Sequence, residues 1–140
     1  MLKHPIRSFR DLQVYQLAFR YSVEVYDLVQ HFPQGFDRYL AQQLLARSQA
    51  VRTNIAAAWG QRRDRTALIN CLCAAQLEAA EVQIWIEAAI GVAYLDTEVG
   101  QDLGDGYRYL FATLDQLMAS ASLGAKRLEE SEFSTLPATA

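Results

Sequence analysis

Proline occurs only at Pro5, Pro33 and Pro137, and the first glycine is Gly35. Long tracts therefore lack the two residues that most often break a helix. Within those tracts apolar side chains recur at alternating spacings of three and four, which places them on one helical face. Period-two alternation flanked by turn residues is missing, and alanine is too frequent for a sheet. The spacing predicts an all-α chain.

The first helix is expected from about Ser8 to His31, with Ser8 as N-cap, Asp11 as its capping-box partner and Phe32-Pro33 as the stop. Two apolar seams run along it. Leu12, Tyr15, Phe19, Tyr26 and Val29 form one; Val14, Ala18, Tyr21, Val25, Leu28 and Phe32 form the other. At ~100° per residue they cover about half the circumference. A second helix is expected over roughly Asp37 to Trp59, with Leu40, Leu44, Ser48, Val51 and Ile55 facing inward and Gly60 as the left-handed residue past its end. After a short connection, Asp64 caps a third helix that reaches about Ile90. It is apolar nearly all round, interrupted by Asn70 with Glu78 and Glu81 on one side and Gln76 with Gln83 and Glu87 on the other.

Gly91 closes that helix, Tyr94-Leu95 anchors the turn, and Asp96 or Thr97 caps a fourth helix with Glu98 in its first turn. Tyr107, Leu110, Leu114, Leu117 and Ala121 set its seam, with Leu128 as a candidate continuation, while Gly100, Gly104 and Gly106 weaken its beginning. Four helices with short links give an antiparallel up-down-up-down four-helix bundle over residues 1–128. Residues 129–140 mix Glu, Ser, Thr, Pro and Ala without periodicity and read as a disordered tail.

A chain of 140 residues with 51% hydrophobic side chains suits one domain with a real core. It opens on no export signal and contains no run of 18 apolar residues, so the cytoplasm is the expected location and no membrane is involved. The wide apolar face of the first helix and the nearly all-apolar third supply more surface than four helices can hide among themselves. Burial against copies of the same chain, a homo-oligomer, is the economical solution. The net charge of −3 argues against a generally DNA-coating surface, but the charge is unevenly distributed. Residues 1–65 hold ten Lys/Arg against five Asp/Glu, and residues 66–140 three against eleven. Such halves can offer a basic face to an anionic partner, or attract one another within or between subunits.

Catalytic chemistry is thinly represented. His4 lies in an N-terminal arm and His31 at a helix C-terminus, where capping is its natural role. No Glu-x-x-His motif for a di-iron bundle, no phosphate loop, no dinucleotide fingerprint and no nucleophile elbow is present, so neither cofactor, metal nor enzymatic activity is expected. Cys71 and Cys73, at i,i+2, point to different faces and read as small core residues. Glu78 and Glu81 form an i,i+3 pair, but without a histidine or third carboxylate they read as a solvated stripe or as partners of arginines. The most suggestive polar set is Arg38, Arg47, Arg52, Arg62, Arg63 and Arg65. Arg47 and Arg52 differ by about 140° around the helix and do not share a face. Arg62, Arg63 and Arg65 cluster in a connection, either as phosphate ligands or as solubilising charges. In a ring of identical subunits they would become a band of charge for RNA or DNA.

Two blocks of sequence carry a resemblance. Phe9-Arg10-Asp11-Leu12-Gln13-Val14-Tyr15-Gln16-Leu17-Ala18 is similar to the F-x-D-L-x-V-W/Y-x-x-A opening of the four-helix-bundle proteins encoded in intervening sequences of bacterial 23S ribosomal RNA genes. Leu40, Gln43, Leu44, Val51, Asn54, Ile55, Ala56 and Gly60 fall in register with that family's L-x-x-Q-L and S-I-x-x-N-I-A-E-G-Y-G. Phe32-Pro33, Leu77, Glu81 and the turn from Gly91 to Leu95 match more loosely. The chain departs from the pattern at Leu45-Ala46, at Ala50 and at Ala57-Ala58, where relatives carry polar groups or Glu-Gly. The resemblance implies barrel-shaped homopentamers, no known enzymatic activity and a role in binding RNA or DNA. Similar bundles are the accessory variability determinants of diversity-generating retroelements, in which a basic pentamer binds the reverse transcriptase and nucleic acid. The acidic balance of this chain fits that role imperfectly.

Overall fold

The computed structural model describes residues 6–33 and 38–122. A single 3-10 turn, Phe9–Asp11, precedes four helices: α1 (Gln13–Val29), α2 (Tyr39–Gly60), α3 (Arg65–Gly91) and α4 (Thr97–Ser122). Among the described residues there is no strand. α1 packs on α2 and α4, α3 packs on the same two, and α1 and α3 stand at opposite corners. This is the expected antiparallel up-down bundle. His4, the beginning of the second helix at Asp37, Leu128 and the tail over 129–140 lie outside the described residues.

The capping residues act as expected, with one change of place. Ser8 accepts from the Arg10 amide at 3.2 Å, and the Asp11 carboxylate accepts from the amides of Arg7 and Ser8 at 2.8 and 3.2 Å. Those amides hold the Asp11 carboxyl below its ordinary pKa. The capping box, however, closes the short turn and not the first helix, because Leu12 is extended at φ −70°, ψ 131°. In a continuous helix residues 12 and 14 would differ by ~200° and only one could face inward. The break lets both Leu12 and Val14 enter the core. At α3 the Asp64 carboxylate accepts from Ala67, and at α4 Asp96 accepts from Val99.

The helix ends differ from the glycine rule. Gly60 is the last residue of α2, and Gln61 follows in a right-handed turn at φ −102°. At the end of α3 the left-handed position falls on Ala93, with φ 63°. The Tyr94 amide reaches the Ala89 carbonyl and the Ala93 amide reaches Ile90, both at 2.9 Å. That double closure is the Schellman arrangement, with alanine standing where glycine is usual. Tyr94 then packs its ring against Phe32 and Leu95 is buried.

One apolar cluster joins all four helices, including Val14, Ala18 and Val25 of α1, Leu44, Val51 and Ile55 of α2, Leu68, Leu72 and Val82 of α3, and Tyr107, Leu110 and Leu114 of α4. The inward residues expected for α2 and α4 are all buried. The glycines of α4, expected to weaken its start, sit within a continuous helix, and two of them, Gly100 and Gly106, allow close packing. A Cβ at Gly106 would lie 2.8 Å from the Tyr21 ring, and one at Gly100 would lie 2.6 Å from Ile90. Not every apolar residue is covered. Phe19, Val23 and Tyr26 on α1 are 47%, 42% and 57% exposed, and Leu77 and Ile84 on α3 are 65% and 56% exposed.

Candidate nucleic-acid interface

α2 carries Arg38 at its N-cap, Arg47 and Arg52 along its length, and Arg62, Arg63 and Arg65 at the connection past its other end. Its 22 residues span about 33 Å at ~1.5 Å each, so Arg38 is a helix length away from the loop cluster. Arg47 turns toward α3, where its Nη1 donates to both oxygens of Glu78 at 2.9 and 3.1 Å. Arg52 turns toward α1, donating to the Tyr15 hydroxyl at 3.2 Å and lying 4.8 Å from the centre of the Phe19 ring. The expected divergence of these two arginines is thus realised. Glu78 takes the arginine of the second helix that was one of its expected partners.

Arg62 folds back over Trp59, 3.9 Å from the ring centre, and donates to the Trp59 carbonyl at 2.8 Å. Burial, and then the neighbouring Arg63 charge, lower its pKa, but a guanidinium stays protonated across the physiological range. Nε of Arg47, of Arg52 and of Arg62 is buried without a hydrogen-bond partner, a mark of side chains drawn onto the bundle. Arg38, Arg63 and Arg65 are exposed. The structure therefore brings Arg62, Arg63 and Arg65 together at one end. It leaves Arg38 at the other end and commits Arg47 and Arg52 to opposite flanks of α2.

The aromatic partners of these cations were not legible in the sequence. Phe19 lies 33 positions before Arg52, and only the register of α1 on α2 joins them. The Arg62 stack on Trp59, by contrast, follows from an i,i+3 spacing across the end of α2. A second surface also escaped the sequence reading: a groove of about 680 Å³ between α1 and α4, lined by residues that include Tyr21, Glu24, Asp27, Asp102 and Tyr109. Its signal was present as two i,i+3 acidic pairs, Glu24/Asp27 and Asp102/Asp105, but their approach depends on how the two helices meet. Glu81 accepts from Trp85 Nε1 at 3.2 Å, and His31 Nδ1 is 3.1 Å from the Asp27 carbonyl at the end of α1. Among the described residues no group of three His, Cys, Asp or Glu side chains is placed to hold a metal ion. Among them no helix is long and apolar enough to cross a membrane.

What this geometry defines is a helical bundle with a cluster of arginines at one end and apolar stripes on two corners. Residues 10–116 match the 23S rRNA-intervening sequence protein family, and the chain belongs to that family. The fold is shared with a crystal structure of a protein of unknown function from the S23 ribosomal protein family of Bacteroides thetaiotaomicron. That match has 22% sequence identity and a TM-score of 0.67, and covers 75% of this chain and 97% of the other. No curated protein matches the chain.

Proposed function

We propose that this protein is a non-enzymatic binding subunit that works as a ring of identical copies, five in number, and gathers its loop arginines into a band for RNA or DNA. The observation that carries the reading is the pair of uncovered apolar stripes. Phe19, Val23 and Tyr26 follow one another at spacings of four and three on α1, and Leu77 and Ile84 lie seven apart on α3, so each set forms a stripe. The stripes stand on opposite corners of the bundle. Two different apolar patches on opposite sides favour head-to-tail association, which closes into a ring when the rotation allows. The number five comes from the resemblance.

In such a ring Arg63 and Arg65, exposed and without an ion pair among the described residues, recur once per copy beside Arg62. Repetition raises the effective concentration of weak phosphate contacts. The experiment is a salt-titrated binding assay with single-stranded RNA and DNA. Binding that weakens steadily with salt, and a shallower dependence for Arg63→Glu/Arg65→Glu, is the expected outcome. No binding at low salt, or an unchanged variant, contradicts the reading.

A pure protein scaffold is the second reading, favoured by the internal commitments of Arg47, Arg52 and Arg62. Its mark would be one stable protein partner recovered without nucleic acid. A reverse transcriptase is the partner that the resemblance implies, and co-purification with it tests that version of either reading.

A further inference from the structure

The groove between α1 and α4 differs in chemistry from the rest of the surface. Its apolar part is formed by Tyr21 and Leu28, half-buried on α1, by Leu103, buried on α4, and by the exposed Val99 and Tyr109. The absence of a side chain at Gly106 lets the Tyr21 ring lie directly on the α4 backbone, so the floor between the helices stays shallow. Carboxylates rise on both sides: Glu24 and Asp27 on the α1 wall, Asp102 and Asp105 on the α4 wall. Among the described residues Arg20 is the sole cation lining it, and it lies over the Tyr21 ring. Asp105 is bonded to Arg108, while Glu24, Asp27 and Asp102 have no ion pair among the described residues.

We infer that this groove docks a basic amphipathic helix of a partner protein. The lining runs from Arg20 to Leu28 on α1 and from Val99 to Tyr109 on α4, about 12 and 15 Å at ~1.5 Å per residue. That length accommodates two to three turns of a helix laid along the seam. An apolar ridge on the incoming helix covers Val99 and Tyr109, and lysines or arginines on both its flanks meet the unpaired carboxylates. Nucleic acid and anionic lipid are repelled by the same carboxylates, so the surface is distinct from the arginine end. It is also distinct from the Phe19 stripe, which faces the α2 side of α1, where Arg52 lies over it.

The probe is a fluorescein-labelled synthetic helical peptide with leucine at positions i, i+3, i+4, i+7 and i+8 and lysine on both flanks. Its affinity is compared for the wild type, for Glu24→Gln/Asp27→Asn/Asp102→Asn, and for a charge-matched control, Glu81→Gln/Glu87→Gln/Glu98→Gln. All six side chains are exposed, and circular dichroism checks that each variant folds. The groove variant is expected to bind at least about ten-fold more weakly and the control within about two-fold of wild type. Tyr109→Ser is expected to weaken binding as well, which separates docking from simple charge attraction. Equal affinity of groove variant and wild type, or equal loss in groove variant and control, overturns the inference. So does a change of particle mass in the groove variant without loss of peptide binding, which would assign the groove to a second copy of this chain.

Discussion

Burying a tyrosine hydroxyl is unfavourable unless a partner replaces the water it loses. Tyr107 is fully buried, and its hydroxyl lies beside Ser48 without reaching hydrogen-bonding geometry; the Ser48 hydroxyl donates instead to the Leu45 carbonyl at 3.1 Å. Burial first, and then the Glu24 carboxylate, push the Tyr107 pKa well above its ordinary value. Below the unfolded-state value near ~10 both states are neutral and the bundle keeps its full stability. Above it the unfolded chain releases a proton that the folded chain retains, so stability falls as pH rises toward the folded value. Thermal melts from pH 7 to 11 are expected to show this decline for the wild type and a shallower one for Tyr107→Phe. At neutral pH the variant should be no less stable, gaining up to ~1 kcal/mol, since it removes an unpaired buried group. An equally steep decline in the variant would rule Tyr107 out as the cause. At this scale the sequence was most informative where hydrogen bonds stay within four residues. Ser8, Asp64 and Asp96 were legible as caps for that reason. Ala93 was not, because nothing about alanine announces a positive φ that the Schellman closure imposes.

Helix pairing decides what spacing alone leaves open. The seams of α2 and α4 were readable because each faces one core, whereas α1 has two candidate seams and the structure chooses between them. Val14, Ala18 and Val25 go in, the other seam contributes only its two ends, Leu12 through the extended break and Val29, and Phe19 and Tyr26 stay out. The glycines of α4 make the same point. Composition marks them as helix-weakening, yet Gly106 meets the Tyr21 ring across the α1–α4 seam while Gly104 has no atom within 4 Å of its missing Cβ. Opposite effects of the same substitution are therefore expected. Gly106→Ala should destabilise by ~1–3 kcal/mol through overpacking, and Gly104→Ala should stabilise by ~0.5–1 kcal/mol through helix propensity. Urea denaturation of the two variants gives the comparison. Similar shifts in the same direction would mean that the α1–α4 approach is looser than described.

At the scale of the whole molecule the amount of apolar residue on α1 and α3 was legible, and so was the basic-to-acidic polarity along the chain. Their arrangement was not, because it depends on α1 and α3 occupying opposite corners of the bundle. The arginine set illustrates the same limit: six residues within one stretch of sequence separate into two ends and two flanks of α2, and only Arg62, Arg63 and Arg65 remain together. A stripe containing Phe19 and Tyr26 on one corner and one containing Leu77 and Ile84 on the other cannot cover each other within one chain. Self-association is the claim on which the ring and its arginine band rest. Light scattering coupled to size exclusion at micromolar concentration tests it most directly, on the wild type and on Phe19→Glu/Tyr26→Glu. The expected result is a wild-type particle at a multiple of the 15.8 kDa chain mass, five-fold for a pentamer, and a folded variant at or near the single-chain mass. A stable wild-type particle of one chain mass at that concentration would contradict it.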